Sequence, residues 1–261
     1  MDDSLNYRRL APGLAALVSL LMTTLTLPIQ ALATDPVTLT AADGVKVFGD
    51  YWPTSDPRAP LILAFHQAGS NRAEYEQIAA RLNKSGFSVL TVDQRSGGAG
   101  FGGRNRTVTV LGRSASYDEA LLDLEAALAW GGARAKGAPV LVWGSSYSAA
   151  LVFLLAAKHP GEISGLLAFS PGEYLSKPDE VRTAAKKVRV PVFVDQAMDA
   201  EEVEQSRKIL RATASTDKTQ FVATRGGVHG SATLRADRNA AGLEENWGAV
   251  LQFLQKFRPT N

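Results

Sequence analysis

The residues of this chain with the clearest chemical potential lie in the segment Gly144-Ser145-Ser146-Tyr147-Ser148. Apolar stretches at 140–143 and 149–157 flank this segment, which predicts a buried strand, a sharp turn and a buried helix. Ser146 falls at the turn, where a strained backbone pushes a hydroxyl out above the sheet. The small residues at positions 144 and 148 let strand and helix pass close together. Ser146 is therefore a candidate nucleophile.

Two neighbouring serines compete with Ser146 for this role. A turn centred on Ser145 would be flanked by a tryptophan and a tyrosine, which are too bulky for it. A turn centred on Ser148 would move the serine into the first turn of the helix. Ser146 has the right phase because Gly144 ends the strand. The simpler structural alternative for Ser146 is a helix cap, which is a common role for serine.

A serine hydroxyl becomes a good nucleophile only when a base takes its proton. The chain has three histidines, His66, His159 and His229. His159 lies in a Lys-His-Pro segment at the end of a predicted helix, where a capping role explains it. His229 lies in a glycine-flanked loop after the last predicted strand, at the sheet edge where sites of α/β proteins form. His229 is therefore the candidate base.

The elements that must position these residues alternate along the chain. Two alternating segments around Asp43-Gly44 predict a β-hairpin within residues 37–52. Further strands are predicted at 61–65 and 87–92, from 140 to the turn at Ser146, and at 163–169, 190–194 and 220–224. Helices are predicted at 74–84 and 117–130, from the turn at Ser146 to 158, and at 201–212 and 247–257. Continuous apolar strands separated by helices indicate a mostly parallel sheet covered on both faces.

The strand–turn–helix segment around Ser146 is similar to the nucleophile elbow of the α/β-hydrolase family. The chain resembles that family over nearly its whole length after residue 33, and within it the small, lid-poor dienelactone-hydrolase-like and carboxylesterase members. The resemblance implies an α/β-hydrolase fold with a mostly parallel, eight-stranded sheet and helices on both faces. One domain is expected over residues 34–261. Segment 170–189 is too short for a large lid, so an open site is expected.

In this family the nucleophile, acid and histidine follow one another in that order along the chain. The resemblance therefore places the acid after the seventh strand, with the task of fixing the imidazole tautomer. Asp199 is the first choice for this acid, and Asp195, nearer the strand end, is the second. Glu173, after the sixth strand, is a third choice because some members carry the acid there.

An oxyanion intermediate needs two backbone N–H donors aimed at it. The resemblance assigns one to Tyr147, which follows the nucleophile. The other falls to Ala68, in the segment His66-Gln67-Ala68-Gly69, which resembles the His-Gly-x motif of the family. Gln67 stands where glycine is usual, and its amide is a candidate substrate-binding group. His66 is expected to be a structural member of this loop.

The resemblance implies hydrolysis of a small-molecule carboxylic ester through an acyl-enzyme on Ser146, with no metal or organic cofactor. The same scaffold serves an amidase, a thioesterase or a perhydrolase. A rival of another class is a non-catalytic envelope protein that binds a ligand in the cleft, since fold alone does not give function. The unusual Gln67 and Ser148 favour that rival, whereas the serine, acid and histidine favour the enzyme.

Composition limits the remaining function classes. A net charge of +2 with no block of like charge argues against nucleic acid as a partner. The chain has no cysteine and only three histidines, which makes a thiolate or histidine-rich metal site unexpected. The glycine-rich segment 96–103 lacks Gly-Lys-Ser/Thr, so a nucleotide site is rejected.

The first 33 residues have the pattern of a secretory signal peptide. Arg8-Arg9 is followed by an apolar stretch over 10–27 and by Ala31-Leu32-Ala33, which fits a small-x-small cleavage site. Prolines at 12 and 28 argue against a stable membrane-spanning helix in this segment. No membrane-spanning helix is expected in the protein that remains after cleavage. The sequence therefore predicts a periplasmic or secreted bacterial protein that begins near Thr34.

Overall fold

An eight-stranded sheet forms the centre of the fold in the computed structural model, which describes residues 34–259. The predicted signal peptide, residues 1–33, lies outside the described residues, and the domain boundary at its end stays a prediction. The spatial order of the strands is β1-β2-β4-β3-β5-β6-β7-β8. They are β1 (Asp35–Thr40), β2 (Lys46–Trp52), β3 (Leu61–Phe65), β4 (Ser88–Asp93), β5 (Val140–Ser145), β6 (Gly165–Phe169), β7 (Val192–Asp195) and β8 (Lys218–Gln220).

The sheet is parallel from β4 to β8, and the hairpin β1–β2 adds two antiparallel strands at one edge. Every residue of β3, β4, β5, β6 and β7 is buried, since helices cover both faces. Among the described strands, the exposed edge strand β1 pairs with β2 alone. The predicted mostly parallel, eight-stranded α/β sheet is confirmed.

Seven α-helices lie within the described residues. They are α1 (Glu76–Lys84), α2 (Arg106–Leu111), α3 (Leu121–Ala135), α4 (Tyr147–Lys158), α5 (Glu180–Ala185), α6 (Ala200–Ala212) and α7 (Leu243–Leu254). Five of them were expected from the sequence, whereas the six-residue helices α2 and α5 were not. No helix within residues 34–259 is long and apolar enough to cross a membrane.

Two hydrophobic cores lie on opposite faces of the sheet. One contains the inward side chains of α3 and α4, such as Leu124 and Leu151. The other packs α1 and α7 against the sheet around Trp143, whose ring stacks on Phe169 with the ring centroids 4.6 Å apart. The carboxyl ends of β3, β5, β6 and β7 therefore meet at one edge between two rigid layers, and the candidate site residues lie there.

The passage of β5 beneath α4 leaves no room for a side chain at Gly144. A Cβ there would lie 2.2 Å from the backbone oxygen of Ser148. We expect Gly144→Ala to reduce the free energy of unfolding by about 3 kcal/mol or more, because backbone and not a side chain would have to move. Urea unfolding followed by circular dichroism measures this loss.

Gly132 provides the matched control for that substitution. It lies on the exposed side of α3, and a Cβ there meets nothing within 4 Å. Gly132→Ala should stabilise the protein by about 0.5–1 kcal/mol through helix propensity. Equal stability of the two variants would contradict the close packing assigned to the elbow.

Candidate active site

Ser146 lies between β5 and α4 in a backbone conformation that residues with a side chain rarely adopt. Its φ is 59° and its ψ is −121°, and its side chain makes no capping hydrogen bond to α4. Ser146 thus occupies the N-cap position of α4, but its hydroxyl does not cap the helix, so the simpler structural alternative does not explain this serine. The backbone N–H of Ser146 donates to the oxygen of Phe169 at 2.8 Å, which ties the turn to the end of β6. The turn directs the Ser146 hydroxyl toward the loop that carries His229.

The two neighbouring serines point elsewhere. The hydroxyl of Ser145 donates to a buried Glu74 oxygen at 2.7 Å. The hydroxyl of Ser148 donates to the backbone oxygen of His66 at 2.6 Å. Of the three serines in the motif, Ser146 alone hydrogen-bonds to a histidine ring in the described structure, as its predicted phase requires.

His229 lies in a segment that we call the histidine loop, residues 225–234. Its Nε2 is 2.8 Å from the Oγ of Ser146, and its Nδ1 is 2.9 Å from the Oε2 of Glu202. A carboxylate only accepts hydrogen bonds, so Nδ1 carries the proton and the neutral Nε2 is free to accept the serine proton. Gly230, with φ +71°, turns the loop so that its N–H donates to the Ser170 hydroxyl at 2.8 Å.

The acid beside His229 is Glu202, and this corrects the prediction of Asp199. Asp199 is the N-cap of α6, and its side chain accepts the backbone N–H of Glu202 at 2.9 Å. Capping the helix directs the Asp199 carboxyl at the backbone. The longer Glu202 side chain, one turn further along, reaches the imidazole.

The two alternative acids are also engaged elsewhere. Asp195 is buried at the end of β7, where its Oδ1 accepts the backbone N–H of Gln196 at 2.8 Å. Burial raises the pKa of Asp195 to about 8. Glu173 accepts the backbone N–H groups of Val181 and Arg182 at 3.0 Å, which fixes the start of α5. Neither carboxyl hydrogen-bonds to His229 in the described structure.

A local signal in the sequence could have found this arrangement. Asp199-Ala200-Glu201-Glu202 places an N-capping residue three positions before a glutamate, which is the pattern of a capping box. That pattern predicts Asp199 as the cap. Glu202 does not complete the box, because its Oε1 instead accepts the backbone N–H of Ala197 at 3.0 Å.

The ion pair shifts the pKa of both partners. Burial opposes ionisation of Glu202, but hydrogen bonds from His229, from Ser170 and from the Ala197 N–H outweigh it and lower its pKa. The hydrogen bond to Glu202 raises the pKa of His229 above 6.5, although partial burial of the ring opposes this. The site therefore stabilises the imidazolium that forms when His229 takes a proton.

Of the two predicted oxyanion donors, Tyr147 directly follows Ser146, and Ala68 follows the carboxyl end of β3, the strand beside β5. Within residues 34–259, the backbone N–H groups of Ala68 and Tyr147 have no hydrogen-bond acceptor. The Tyr147 ring is buried and stacks on Tyr117 with the centroids 4.4 Å apart. Its hydroxyl accepts hydrogen bonds from Gln94 at 2.8 Å and from Ser96 at 2.7 Å. These contacts fix the first turn of α4, and with it the Tyr147 donor.

Ala68 belongs to a segment that we call the oxyanion loop, residues 66–71. The first residue of this loop, His66, is fully buried, and burial lowers its pKa to about 4. Nδ1 of the neutral His66 ring lies 2.8 Å from the backbone oxygen of Gln67, and its Nε2 accepts the backbone N–H of Gln94 at 3.0 Å. His66 therefore has the structural role expected from the sequence. The Gln67 side-chain oxygen lies 3.1 Å from where a Cβ on Gly230 would be. It is directed at the histidine loop, and contact with substrate stays a prediction.

Ser146, His229 and Glu202 thus form a continuous line of hydrogen bonds at the carboxyl edge of the sheet of an α/β-hydrolase fold. The family model described as Hydrolase_4 (serine aminopeptidase, S33) matches residues 56–195, more than half of the chain, and the chain belongs to this family. The matched region contains Ser146 and both predicted oxyanion donors, and it ends before Glu202 and His229.

Two curated relatives are similar to part of the chain. A monoacylglycerol lipase of Mycolicibacterium smegmatis is 30% identical over 129 residues, which are 49% of this chain and 43% of the relative. A monoglyceride lipase of Saccharomyces cerevisiae is 28% identical over 192 residues, which are 67% of this chain and 58% of the relative. The chain thus spans about half the length of these relatives.

Solved structures share the fold at lower identity. An esterase of Pyrococcus furiosus has a TM-score of 0.64 and 21% identity, covering 87% of this chain and 92% of its own. A dienelactone hydrolase of Anabaena variabilis has a TM-score of 0.67 and 13% identity, covering 87% and 99%. These neighbours agree with the α/β-hydrolase fold expected from the sequence.

Proposed function

We propose that this protein hydrolyses carboxylic esters through a covalent acyl-enzyme on Ser146, with His229 as the general base and Glu202 as the acid that orients it. The observation that carries the proposal is the continuous line of hydrogen bonds from Ser146 Oγ through both nitrogens of His229 to Glu202, at 2.8 and 2.9 Å. The Ser146 backbone is strained, and its hydroxyl bonds the His229 ring without capping the helix. These features are typical of a serine nucleophile.

The proposed reaction proceeds in two halves. Ser146 Oγ attacks the ester carbonyl carbon while its proton moves to Nε2 of His229, and the N–H groups of Ala68 and Tyr147 stabilise the oxyanion. The intermediate collapses, and the alcohol leaves with the proton from His229. Water then attacks the acyl-enzyme while losing a proton to His229. The second intermediate collapses as His229 returns that proton to Ser146 Oγ, and the carboxylic acid is released.

The names of the two curated relatives suggest the first substrates to test. Both relatives are lipases of monoacylglycerols by name. We therefore propose glycerol monoesters and simple aliphatic esters as the substrate class. An amidase, a thioesterase or a perhydrolase would use the same three side chains, so amide, thioester and peroxide assays belong in the same screen.

A fluorophosphonate probe tests the proposed function directly, because it reacts with activated serines. The adduct is mapped by mass spectrometry, with Ser146→Ala and the neighbouring Ser148→Ala as a matched pair. We expect a single adduct on Ser146 in the wild type and in Ser148→Ala, and none in Ser146→Ala. A folded wild type that remains unlabelled would contradict the proposal and favour the ligand-binding alternative.

The pH dependence of kcat/KM follows from His229. Its Nε2 must be unprotonated to accept the serine proton, and Glu202 raises its pKa above 6.5. We therefore expect kcat/KM to fall on the acidic side with a midpoint above 6.5, measured from about pH 5 to about pH 9. A midpoint below 6.5 would contradict the ion pair with Glu202.

Export is a separate proposal that rests on the sequence. The basic, apolar and small-residue regions of 1–33 support cleavage after Ala33 and a periplasmic or secreted location. The first residue of the protein recovered from a bacterial host, read by mass spectrometry, tests this. Thr34 at the N-terminus is the expected result, and an intact Met1 would contradict it.

A further inference from the structure

A buried carboxyl group lies behind the nucleophile elbow and takes no part in the proposed reaction. Glu74, in the 3₁₀ turn before α1, has no exposed surface. Its Oε2 accepts the backbone N–H of Gln67 at 2.8 Å, and its Oε1 accepts the hydroxyl of Ser145 at 2.7 Å. Ser145 in turn accepts the backbone N–H of Ser231 at 2.8 Å. Glu74 therefore links the oxyanion loop, the elbow and the histidine loop.

Each link lies close to a group that the reaction needs. Gln67 precedes the Ala68 donor by one residue, so fixing the Gln67 N–H restricts the orientation of the next peptide group. Ser231 lies two residues after His229. A buried N–H that loses its acceptor costs about 1–3 kcal/mol. The oxyanion loop thus depends on the Glu74 carboxyl directly, and the histidine loop depends on it through the Ser145 hydroxyl, which donates to Glu74 and accepts the Ser231 N–H.

The charge of Glu74 also reaches the catalytic base. Burial raises the pKa of Glu74 to about 7, while hydrogen bonds from Ser145 and Gln67 and the positive charge of Arg235 oppose that rise. The Glu74 charge contributes to the raised pKa of His229. It acts likewise on Tyr75, whose pKa burial already raises well above its ordinary value. Ionised Glu74 therefore favours the imidazolium form of His229.

We propose that Glu74 is a positioning residue, which holds the Ala68 donor and His229 in register with Ser146. The proposal rests on the proposed function. Since the oxyanion exists only in the transition state and its intermediate, a displaced donor lowers kcat and leaves substrate binding nearly unchanged.

The test compares Glu74→Gln with Glu76→Gln, an exposed control two residues away. Kinetics are measured on an ester that the wild type hydrolyses, and thermal unfolding checks folding. We expect Glu74→Gln to lower kcat by about 10- to 100-fold, the scale of a small misplacement, with KM nearly unchanged. The acidic midpoint of kcat/KM should move to lower pH, because the charge that raises the His229 pKa is gone. Glu76→Gln should match the wild type.

Glu74→Asp separates charge from reach. It keeps the negative charge, so the acidic midpoint should return toward the wild-type value. Its side chain is one methylene shorter and cannot meet both the Gln67 N–H and the Ser145 hydroxyl, so kcat should stay low. A kcat restored to the wild-type value in Glu74→Asp would overturn the positioning role.

Two further results would also overturn the proposal. One is a folded Glu74→Gln with the kcat and midpoint of the wild type. The other is a loss of kcat that only follows the loss of folded protein, with the midpoint unmoved. If Glu74→Gln does not fold, Ser145→Ala removes the hydrogen bonds that join Glu74 to Ser231 and leaves the bond between Glu74 and Gln67 in place. A several-fold fall in kcat is then expected, and wild-type kcat would overturn the role. A wild type without esterase activity or probe labelling would instead overturn the proposed function itself.

Discussion

Replacing Ser146 by Ala is expected to lower kcat for ester hydrolysis by about 10⁵- to 10⁶-fold, the loss typical of a deleted serine nucleophile. Without Oγ no acyl-enzyme forms, and what remains is water attack helped by the oxyanion donors. The hydroxyl makes one described side-chain hydrogen bond, to the partly exposed His229. The free energy of unfolding should therefore change by no more than about 1 kcal/mol.

The control for this prediction is the combination of Ser146→Ala with His229→Ala. Because the two residues act as one unit, the double variant should be hardly slower than Ser146→Ala alone. Rates are measured with ester in excess, and folding is checked by thermal unfolding. Multiplicative losses in the double variant would show that Ser146 and His229 act independently, against the proposed mechanism.

Replacing Glu202 by Gln is expected to lower kcat by about 10³- to 10⁴-fold. The amide of glutamine donates hydrogen bonds, so it favours the tautomer of His229 with the proton on Nε2. That tautomer cannot accept the proton of Ser146. Loss of the carboxylate also removes the charge that stabilises the imidazolium.

Asp199→Asn is the matched comparison, because both changes turn an acid into its amide at the start of α6. Asparagine caps a helix as well as aspartate does, so Asp199→Asn should keep kcat within about 3-fold of the wild type and its stability within about 0.5 kcal/mol. A large loss of activity in Asp199→Asn, together with wild-type activity in Glu202→Gln, would show that Asp199 and not Glu202 orients His229.

Strands β3 to β7 were predictable because they are buried on both faces and are therefore mostly apolar. The short elements were not. Helices α2 and α5 have six residues each, too few for a periodic pattern. Strand β8 covers Lys218–Gln220, whereas the sequence predicted a strand over 220–224. The apolar residues 221 and 223 that suggested a longer strand instead pack into the protein from the loop that follows.

The candidate site was predictable where backbone geometry determines it. Ser146 must occupy the turn, since the close contact between β5 and α4 allows only small residues around it. The acid was harder to predict, because Asp199 and Glu202 lie one helical turn apart and either could face His229. The choice depends on which carboxyl caps α6, which the local capping pattern from Asp199 to Glu202 indicates but composition and periodicity do not.

The positive φ angles of Ser146 and Ser170, 59° and 57°, have a consequence for how this protein can evolve. Both residues directly follow adjacent parallel strands, and each such conformation costs about 1–3 kcal/mol. That is a sizeable share of a net folding free energy of about 5–15 kcal/mol. Glycine at either position would relax the backbone and remove a hydroxyl from the site. Selection for heat resistance alone would therefore replace these two serines by glycine early. Keeping both hydroxyls requires compensating stability from the two hydrophobic cores.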